Sequence, residues 1–196
     1  DIGADFYPAK EPSARGVLLV HMMPATRVSW KDFAPKFQEA GFNVLAIDLR
    51  GHGESSGGPN GYQRFSDAEH QKSILDLRAG VEFLETREVE EDNLSLVGAS
   101  IGANLALQFL SQNPEVKIAV LLSPGLNYRG IEAQPLMAKL KAGQRVLLVG
   151  SDDDPQSDGN VIGSLVSQVP PGVETKAVVY RQAGHGTAMF GKEIPD

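Results

Sequence analysis

The sequence has no cysteine, and it also lacks any long apolar run. The first absence excludes disulfide bonds, thiolate metal ligands and a cysteine nucleophile. The second excludes a membrane-spanning helix, which needs roughly 18 consecutive apolar residues. The first residues, Asp-Ile-Gly-Ala-Asp, do not form a signal peptide. We therefore expect a chain without a membrane span, either cytoplasmic or exported with its signal removed.

Positive charge is also scarce. Lysine and arginine number 18 against 25 acidic residues, which gives a net charge of -7 and a pI near 5.1, and no basic cluster interrupts the chain. A polyanion-binding surface is disfavoured, so we expect no nucleic-acid partner. The length and the 41% hydrophobic content predict one globular domain over residues 1–196. Whether either end of this domain is truncated is left open by the sequence. The composition leaves the oligomeric state undetermined.

Buried strands and amphipathic helices alternate along the chain. Short apolar runs without alternation predict strands buried on both faces, and apolar residues at helical spacing follow most of them. This order predicts an α/β fold, a mostly parallel sheet with helices on both faces. Strands are expected at 2–7, 16–21, 42–47, 94–97, 116–122, 145–150 and 175–180, and helices at 30–40, 67–86, 101–110, 132–141 and 161–168.

The stretch from Asn93 to Leu110 contains Gly98-Ala99-Ser100-Ile101-Gly102 between a strand and a helix. This G-x-S-x-G pattern predicts a sharp turn with Ser100 at positive φ, flanked by small residues because the chain passes close by. Such a turn presents the hydroxyl as a nucleophile. The alternative is a glycine-bounded turn with a solvated serine.

A serine nucleophile needs a base near neutral pH, and histidine suits that task. Of the four histidines, His70 is expected on the surface of a helix, His52 in a turn-stabilising role, and His21 in ordering the loop that follows the first central strand. His185 lies in Ala-Gly-His-Gly-Thr after the last strand and is the predicted base.

A carboxylate must orient the histidine, and three aspartates follow the strand at 145–150. Asp154 is favoured because Pro155 fixes its turn, Asp153 remains the alternative, and Asp152 and Asp158 are expected to cap the next helix. The chain order Ser, Asp, His is the one that hydrolases with this kind of sheet use. Parallel strands would gather Ser100, these aspartates and His185 at one edge, together with His21 and Asp48.

When the serine attacks a carbonyl group, the carbonyl oxygen becomes an oxyanion, and two backbone amides should stabilise it. One is that of Ile101, at the start of the helix. The second is expected from Met23, in the loop His21-Met22-Met23-Pro24. We expect a shallow, open substrate pocket. Its walls should be formed by Met22, Met23, the loop around Tyr62 and Phe65, and residues 126–128. No element carries a pair of metal ligands at suitable spacing, so we predict neither a metal nor a cofactor.

With these motifs in place, the chain resembles the α/β-hydrolase family, particularly small lidless members similar to dienelactone hydrolases and bacterial carboxylesterases. The resemblance rests on His21-Met22, on the run from Asp48 to Ser55, on the Ser100 turn, on the segment 150–155 and on Gly184-His185-Gly186. It implies Ser100 as nucleophile, His185 as base and an aspartate of the turn as third member. The space between Leu122 and Arg145 is too short for a cap domain.

The predicted function is therefore a serine hydrolase that cleaves small or exposed carboxylic esters through an acyl-enzyme, with no cofactor. Thioesters and amides would react by the same mechanism. The alternative is a catalytically silent α/β-hydrolase fold acting as a binding module. Two departures favour this alternative, because the family usually has His-Gly at His21-Met22 and a helix after the histidine.

Overall fold

The computed structural model describes residues 1–192, and residues 193–196 of the predicted domain lie outside the described residues. Its strands are β1 Ala4–Tyr7, β2 Gly16–Val20, β3 Asn43–Ile47, β4 Leu94–Ala99, β5 Ile118–Leu122, β6 Asn127–Tyr128, β7 Ile131–Glu132, β8 Arg145–Ser151 and β9 Glu174–Tyr180. Its α-helices are α1 Ala34–Glu39, α2 Asp67–Gln71, α3 Ile74–Glu85, α4 Ile101–Gln112, α5 Ala133–Met137 and α6 Gly159–Val166. Short 3-10 helices cover Arg27–Trp30, Gly61–Arg64, Glu91–Asn93 and Gly186–Gly191.

Seven strands form one sheet in the order β1-β3-β2-β4-β5-β8-β9. Only β1 runs antiparallel to its neighbour, and the other six strands are parallel. Strands β2 and β3 are buried along their whole length, which explains their unbroken apolar sequences. The expected mostly parallel α/β sheet is thus confirmed.

Alternate residues of the strands divide the core into two layers. Leu18 and Val20 of β2 belong to the layer covered by α3, α4, α5 and α6, whereas Val17 and Leu19 point to the opposite layer. That second layer contains Trp30, Ala34 of α1 and Met189. Helices therefore pack on both faces of the sheet, as the sequence predicts.

Three predicted helices differ from the observed ones. The helix expected at 132–141 is limited to α5, which ends at Met137. The helix expected at 30–40 starts only at Ala34, with a proline in its first turn, and a 3-10 helix precedes it. The helix expected at 67–86 is two helices, α2 and α3, separated by a turn at Lys72 and Ser73. Ser66 is the N-cap of α2 and forms a reciprocal capping box with Glu69.

The connection between β5 and β8 contains only the β6-β7 hairpin and α5. No cap domain is inserted there, as expected. Strand β4 occupies the centre of the sheet, with β2 on one side and β5 on the other. The carboxyl ends of these strands carry the candidate functional residues.

Candidate active site

Ser100 stands between β4 and α4 in a backbone conformation that side chains rarely adopt. Its φ is 55° and its ψ is -121°, and its amide donates a 2.8 Å hydrogen bond to the Leu122 carbonyl of the neighbouring strand. The residue is buried, with 7% of its surface exposed. The strand, turn and helix that the G-x-S-x-G pattern predicts are all present.

The two glycines of this pattern permit a close approach of backbone segments. A Cβ atom on Gly98 would collide with the backbone of Gly102, and one on Gly102 would lie 2.6 Å from the His21 carbonyl oxygen. Side chains at these positions are therefore excluded on steric grounds. The approach brings the first turn of α4, including the Ile101 amide, next to the end of β2.

His185 and Asp154 form a hydrogen-bonded pair. Nδ1 of His185 lies 2.7 Å from Oδ2 of Asp154, and the carboxylate is nearly buried at 5% exposure. A carboxylate can only accept, so Nδ1 carries the proton and Nε2 is left as the basic atom. Gly186, just after the histidine, donates from its amide to Ser123 Oγ at 2.8 Å and ties this loop to the end of β5.

The other aspartates of the segment have different partners. Asp153 accepts hydrogen bonds from Ser151 Oγ and the Gly184 amide, which lower the pKa of its carboxyl group. Asp152 accepts from the Gln182 amide at 2.7 Å. The expectation that Asp152 caps the next helix is wrong. Asp158 alone of the two has that role, and it accepts from the first amides of α6.

Among the described residues, Ser100 and His185 do not share a hydrogen bond. The Ser100 hydroxyl is near enough to the Tyr128 hydroxyl to act on its pKa, and Tyr128 donates to the Ser123 carbonyl at 3.2 Å. The Tyr128 ring stands edge-on to His185, with 6.4 Å between the ring centroids. In free enzymes the hydrogen bonds of a catalytic set are often long or misaligned and tighten only when substrate binds.

The loop after β2 is ordered by His21. The Nδ1 atom of this buried ring bonds the Met22 carbonyl, and its Nε2 accepts from the Leu49 amide, both at 2.9 Å. Burial lowers the pKa of His21 to about 4, so the ring is neutral. The expected loop-ordering role of His21 is confirmed. Met22 itself packs beside Gly186, on which a Cβ atom would lie 2.6 Å from the Met22 sulfur.

Tyr62 and Phe65, predicted to bind substrate, pack on two histidines, one in the loop after β3 and one on α2. The Tyr62 ring stacks on His52 at 4.1 Å, and Phe65 meets His70 edge-on at 5.5 Å. Within residues 1–192, neither ring makes a ring contact or a hydrogen bond with the Ser100, Asp154 and His185 set. Met22, which packs beside Gly186, contacts the loop that carries His185.

His70 is not on the surface, contrary to expectation. It is 2% exposed because α2 turns this side chain inward against Phe65, and burial lowers the pKa of the ring. His52 bonds the Arg50 carbonyl at 3.0 Å, in agreement with its expected turn-stabilising role. Asp48 is fully buried and forms an ion pair with Arg27.

Sequence reasoning missed Asn104, a fully buried side chain four residues after Ser100 on α4. Its Nδ2 donates to the carbonyls of Gly125 and Ile131, and its Oδ1 accepts from the Gly125 amide. The signal in the sequence was an asparagine between Ala103 and Leu105, on the buried face of the helix that follows Ser100. Asn104 fixes the loop that carries Tyr128.

A cavity of about 690 Å³ lies elsewhere, on the sheet face beside α1. Its apolar lining includes Phe33, Val97, Val149 and Met189, and it contains none of the Ser100, Asp154 and His185 set. Among the described residues no cluster of histidine, aspartate and glutamate is arranged to hold a metal ion. The helices within residues 1–192 are all too short or too polar to cross a membrane.

Comparison with known proteins agrees with this architecture. The family model described as serine aminopeptidase, S33, matches residues 11–187. The chain belongs to this family and is an α/β hydrolase.

Individual relatives share less of the chain. Epoxide hydrolase A of Mycobacterium tuberculosis is 46% identical over 48 residues, which are 24% of this chain and 15% of that protein. Bifunctional epoxide hydrolase 2 of Sus scrofa is 45% identical over 47 residues, or 24% of this chain and 8% of that protein. This chain thus matches only a small part of the length of these curated relatives.

Among solved structures, a putative dienelactone hydrolase from Klebsiella pneumoniae superposes with a TM-score of 0.78 at 15% identity, covering 98% of this chain and 85% of that chain. The ferulic acid-bound Est1E of Butyrivibrio proteoclasticus has a TM-score of 0.73 at 14% identity, over 92% and 85% of the two chains. At such identities these likenesses show the fold.

Proposed function

We propose that this protein is a serine hydrolase that cleaves carboxylic esters of small or exposed substrates through an acyl-enzyme. In this proposal Ser100 is the nucleophile, His185 the base and Asp154 the residue that orients His185. The observation that carries it is the 2.7 Å bond from His185 to Asp154, at the same sheet edge as a positive-φ Ser100. The esterase and dienelactone hydrolase neighbours support the choice of ester substrates.

The proposed reaction uses each of these groups in turn. Ser100 Oγ attacks the ester carbonyl carbon while its proton passes to His185 Nε2, and the Asp154 carboxylate stabilises the resulting imidazolium. The backbone amides of Ile101 and Met23 donate to the oxyanion. The bond to the leaving oxygen then breaks, that oxygen takes the proton from His185, and water releases the acyl group by the reverse sequence. No cofactor takes part.

Labelling with a fluorophosphonate probe tests the nucleophile. The wild-type protein should form a covalent adduct that Ser100→Ala abolishes. Ser164→Ala, a change of the same kind in α6, is the matched control and should label normally. A wild-type protein that forms no adduct, or an adduct that survives Ser100→Ala, would overturn the proposal.

Turnover of p-nitrophenyl acetate tests the rest of the set. Hydrolysis should be measurable and should be lost in His185→Ala. Absence of turnover in a folded wild-type protein would favour the silent binding module instead. A panel of esters and thioesters of increasing acyl length would then define the substrate class.

A further inference from the structure

Tyr128 holds a position that the proposed reaction does not yet use. Its hydroxyl donates to the Ser123 carbonyl and its ring stands edge-on to His185. The Ser100 hydroxyl is near enough to act on the pKa of the phenol. The ring fits because Gly125 has no side chain, and a Cβ atom there would lie 2.6 Å from it. Tyr128 therefore lies near the atom proposed to attack and packs edge-on against the ring proposed to move the proton.

The hairpin that carries Tyr128 is held by the helix that begins after Ser100. Asn104 donates to the carbonyls of Gly125 and Ile131 at 2.9 and 2.8 Å, on either side of the tyrosine in sequence. A further bond of 3.0 Å runs from Gln71 Nε2 to the Arg129 carbonyl. These bonds fix the position of the Tyr128 side chain relative to Ser100, because Asn104 lies on α4, the helix that begins directly after Ser100.

The strand order decides which side of Ser100 the phenol occupies. Strand β4 lies between β2, whose loop carries Met23, and β5, whose loop carries Tyr128. His185 reaches the site from the same side as Tyr128, because its loop is tied to Ser123 at the end of β5. With the oxyanion on the β2 side, the leaving oxygen must face His185, which protonates it.

We propose that Tyr128 is a catalytic residue on the leaving-group side, whose hydroxyl donates a hydrogen bond to the leaving oxygen of the ester as the carbon-oxygen bond breaks. This inference rests on the proposed function. The Tyr128 hydroxyl should therefore raise the rate most for esters with poor, alkoxide-like leaving groups, because these need the most stabilisation at the leaving oxygen.

The phenol acts as a donor and keeps its proton. Burial raises the pKa of Tyr128 to about 12, and the nearby Asp154 carboxylate adds to the rise, although the Ser100 hydroxyl opposes it. The hydroxyl thus turns from the Ser123 carbonyl to the leaving oxygen, while the transferred proton still comes from His185. No proton is lost from or gained by the tyrosine in the cycle.

Tyr128→Phe tests the proposal because it keeps the ring and removes the hydroxyl. Ethyl acetate and p-nitrophenyl acetate share the acetyl group and differ in the leaving group, so deacylation is common to both. The ratio of kcat/KM for ethyl acetate to that for p-nitrophenyl acetate should fall about tenfold in the variant, the effect of one hydrogen bond to a developing charge. Tyr7→Phe, in the edge strand, should leave this ratio unchanged.

A ratio that stays constant in Tyr128→Phe, whether both rates fall together or neither falls, would overturn the proposal. Circular dichroism and fluorophosphonate labelling of the variant show that it is folded and that Ser100 is reactive. Should Tyr128→Phe not fold, Tyr128→Leu and Tyr128→Met provide the same ratio, because neither side chain can donate a hydrogen bond. Failure of the proposed function is separate, since it would appear as an unlabelled wild-type protein.

Discussion

The carboxylate of Asp154 accepts from the His185 ring, whereas that of its neighbour Asp153 accepts from the backbone of Gly184. Two adjacent aspartates thus hold the same loop in different ways. One orients an imidazole, and the other anchors the chain that carries it. Their substitutions should therefore have different consequences.

Asp154→Asn should keep the fold and reduce turnover of p-nitrophenyl acetate by about a thousandfold or more, because an amide offers His185 the wrong hydrogen-bonding partner and no charge. Asp153→Asn should reduce turnover by less than about tenfold, since it weakens only the hold on Gly184. Steady-state kinetics of the two variants at one pH would measure both losses of turnover. Normal turnover in Asp154→Asn together with an inactive Asp153→Asn would contradict the assignment within the proposed set.

Asp152→Asn should leave turnover nearly unchanged and cost at most about 1 kcal/mol of unfolding free energy. The half-exposed carboxylate makes one hydrogen bond to the Gln182 amide, which the asparagine oxygen can still accept. Urea denaturation and the same kinetic assay check both parts. A large loss of activity would show that the Gln182 loop needs the charge.

Gly102→Ala should lower the unfolding free energy by about 1 to 3 kcal/mol and slow labelling by the fluorophosphonate probe. The added methyl group would lie 2.6 Å from the His21 carbonyl oxygen, so α4 must move away from β2. Gly163→Ala is the matched control, because nothing lies within 4 Å of a Cβ atom there and the residue is helical. That change should stabilise the protein by about 0.5 to 1 kcal/mol. Equal effects of the two changes would contradict the close approach at Gly102.

Asn104→Asp should be strongly destabilising, by about 3 kcal/mol or more. A carboxylate cannot donate to the Gly125 and Ile131 carbonyls, and its charge would be fully buried. Asn93→Asp, at an exposed position, is the control and should stay within about 0.5 kcal/mol of the wild type. Thermal and urea unfolding measure both. A mild effect of Asn104→Asp would mean that the hairpin does not depend on this clamp.

Stability should fall between about pH 6.5 and pH 4 because His21 is buried as a neutral ring. Its pKa is lowered to about 4 in the fold, so over this range the unfolded chain binds a proton that the native protein does not. The contribution of about 3 kcal/mol is complete above pH 6.5 and is lost as the pH falls towards 4. Urea denaturation at several pH values should show a shallower decline for His21→Asn. Parallel declines of the two proteins would contradict this account.

Local patterns in the sequence were sufficient for the element types and for the main candidates. Unbroken apolar runs such as 17–20 indicate buried parallel strands, because only such strands exclude water from both faces. The glycines at 98 and 102 around Ser100 predict the strained turn, since the need for small residues is a property of a few adjacent residues. Steric constraints between neighbouring residues and the spacing of apolar residues can be recognised directly in the sequence.

Tertiary structure decided what depends on residues far apart in the chain. Asp154 rather than Asp153 bonds His185, and Asp153 is held by Ser151 and Gly184 instead, through contacts between loops that lie far apart in the chain. His70, expected on the surface, is buried because its ring on α2 packs against Phe65, which lies outside that helix. The place of Tyr128 beside Ser100 follows from Asn104 and the strand order. Burial and side-chain direction are properties of packed elements, so no pattern within one segment determines them.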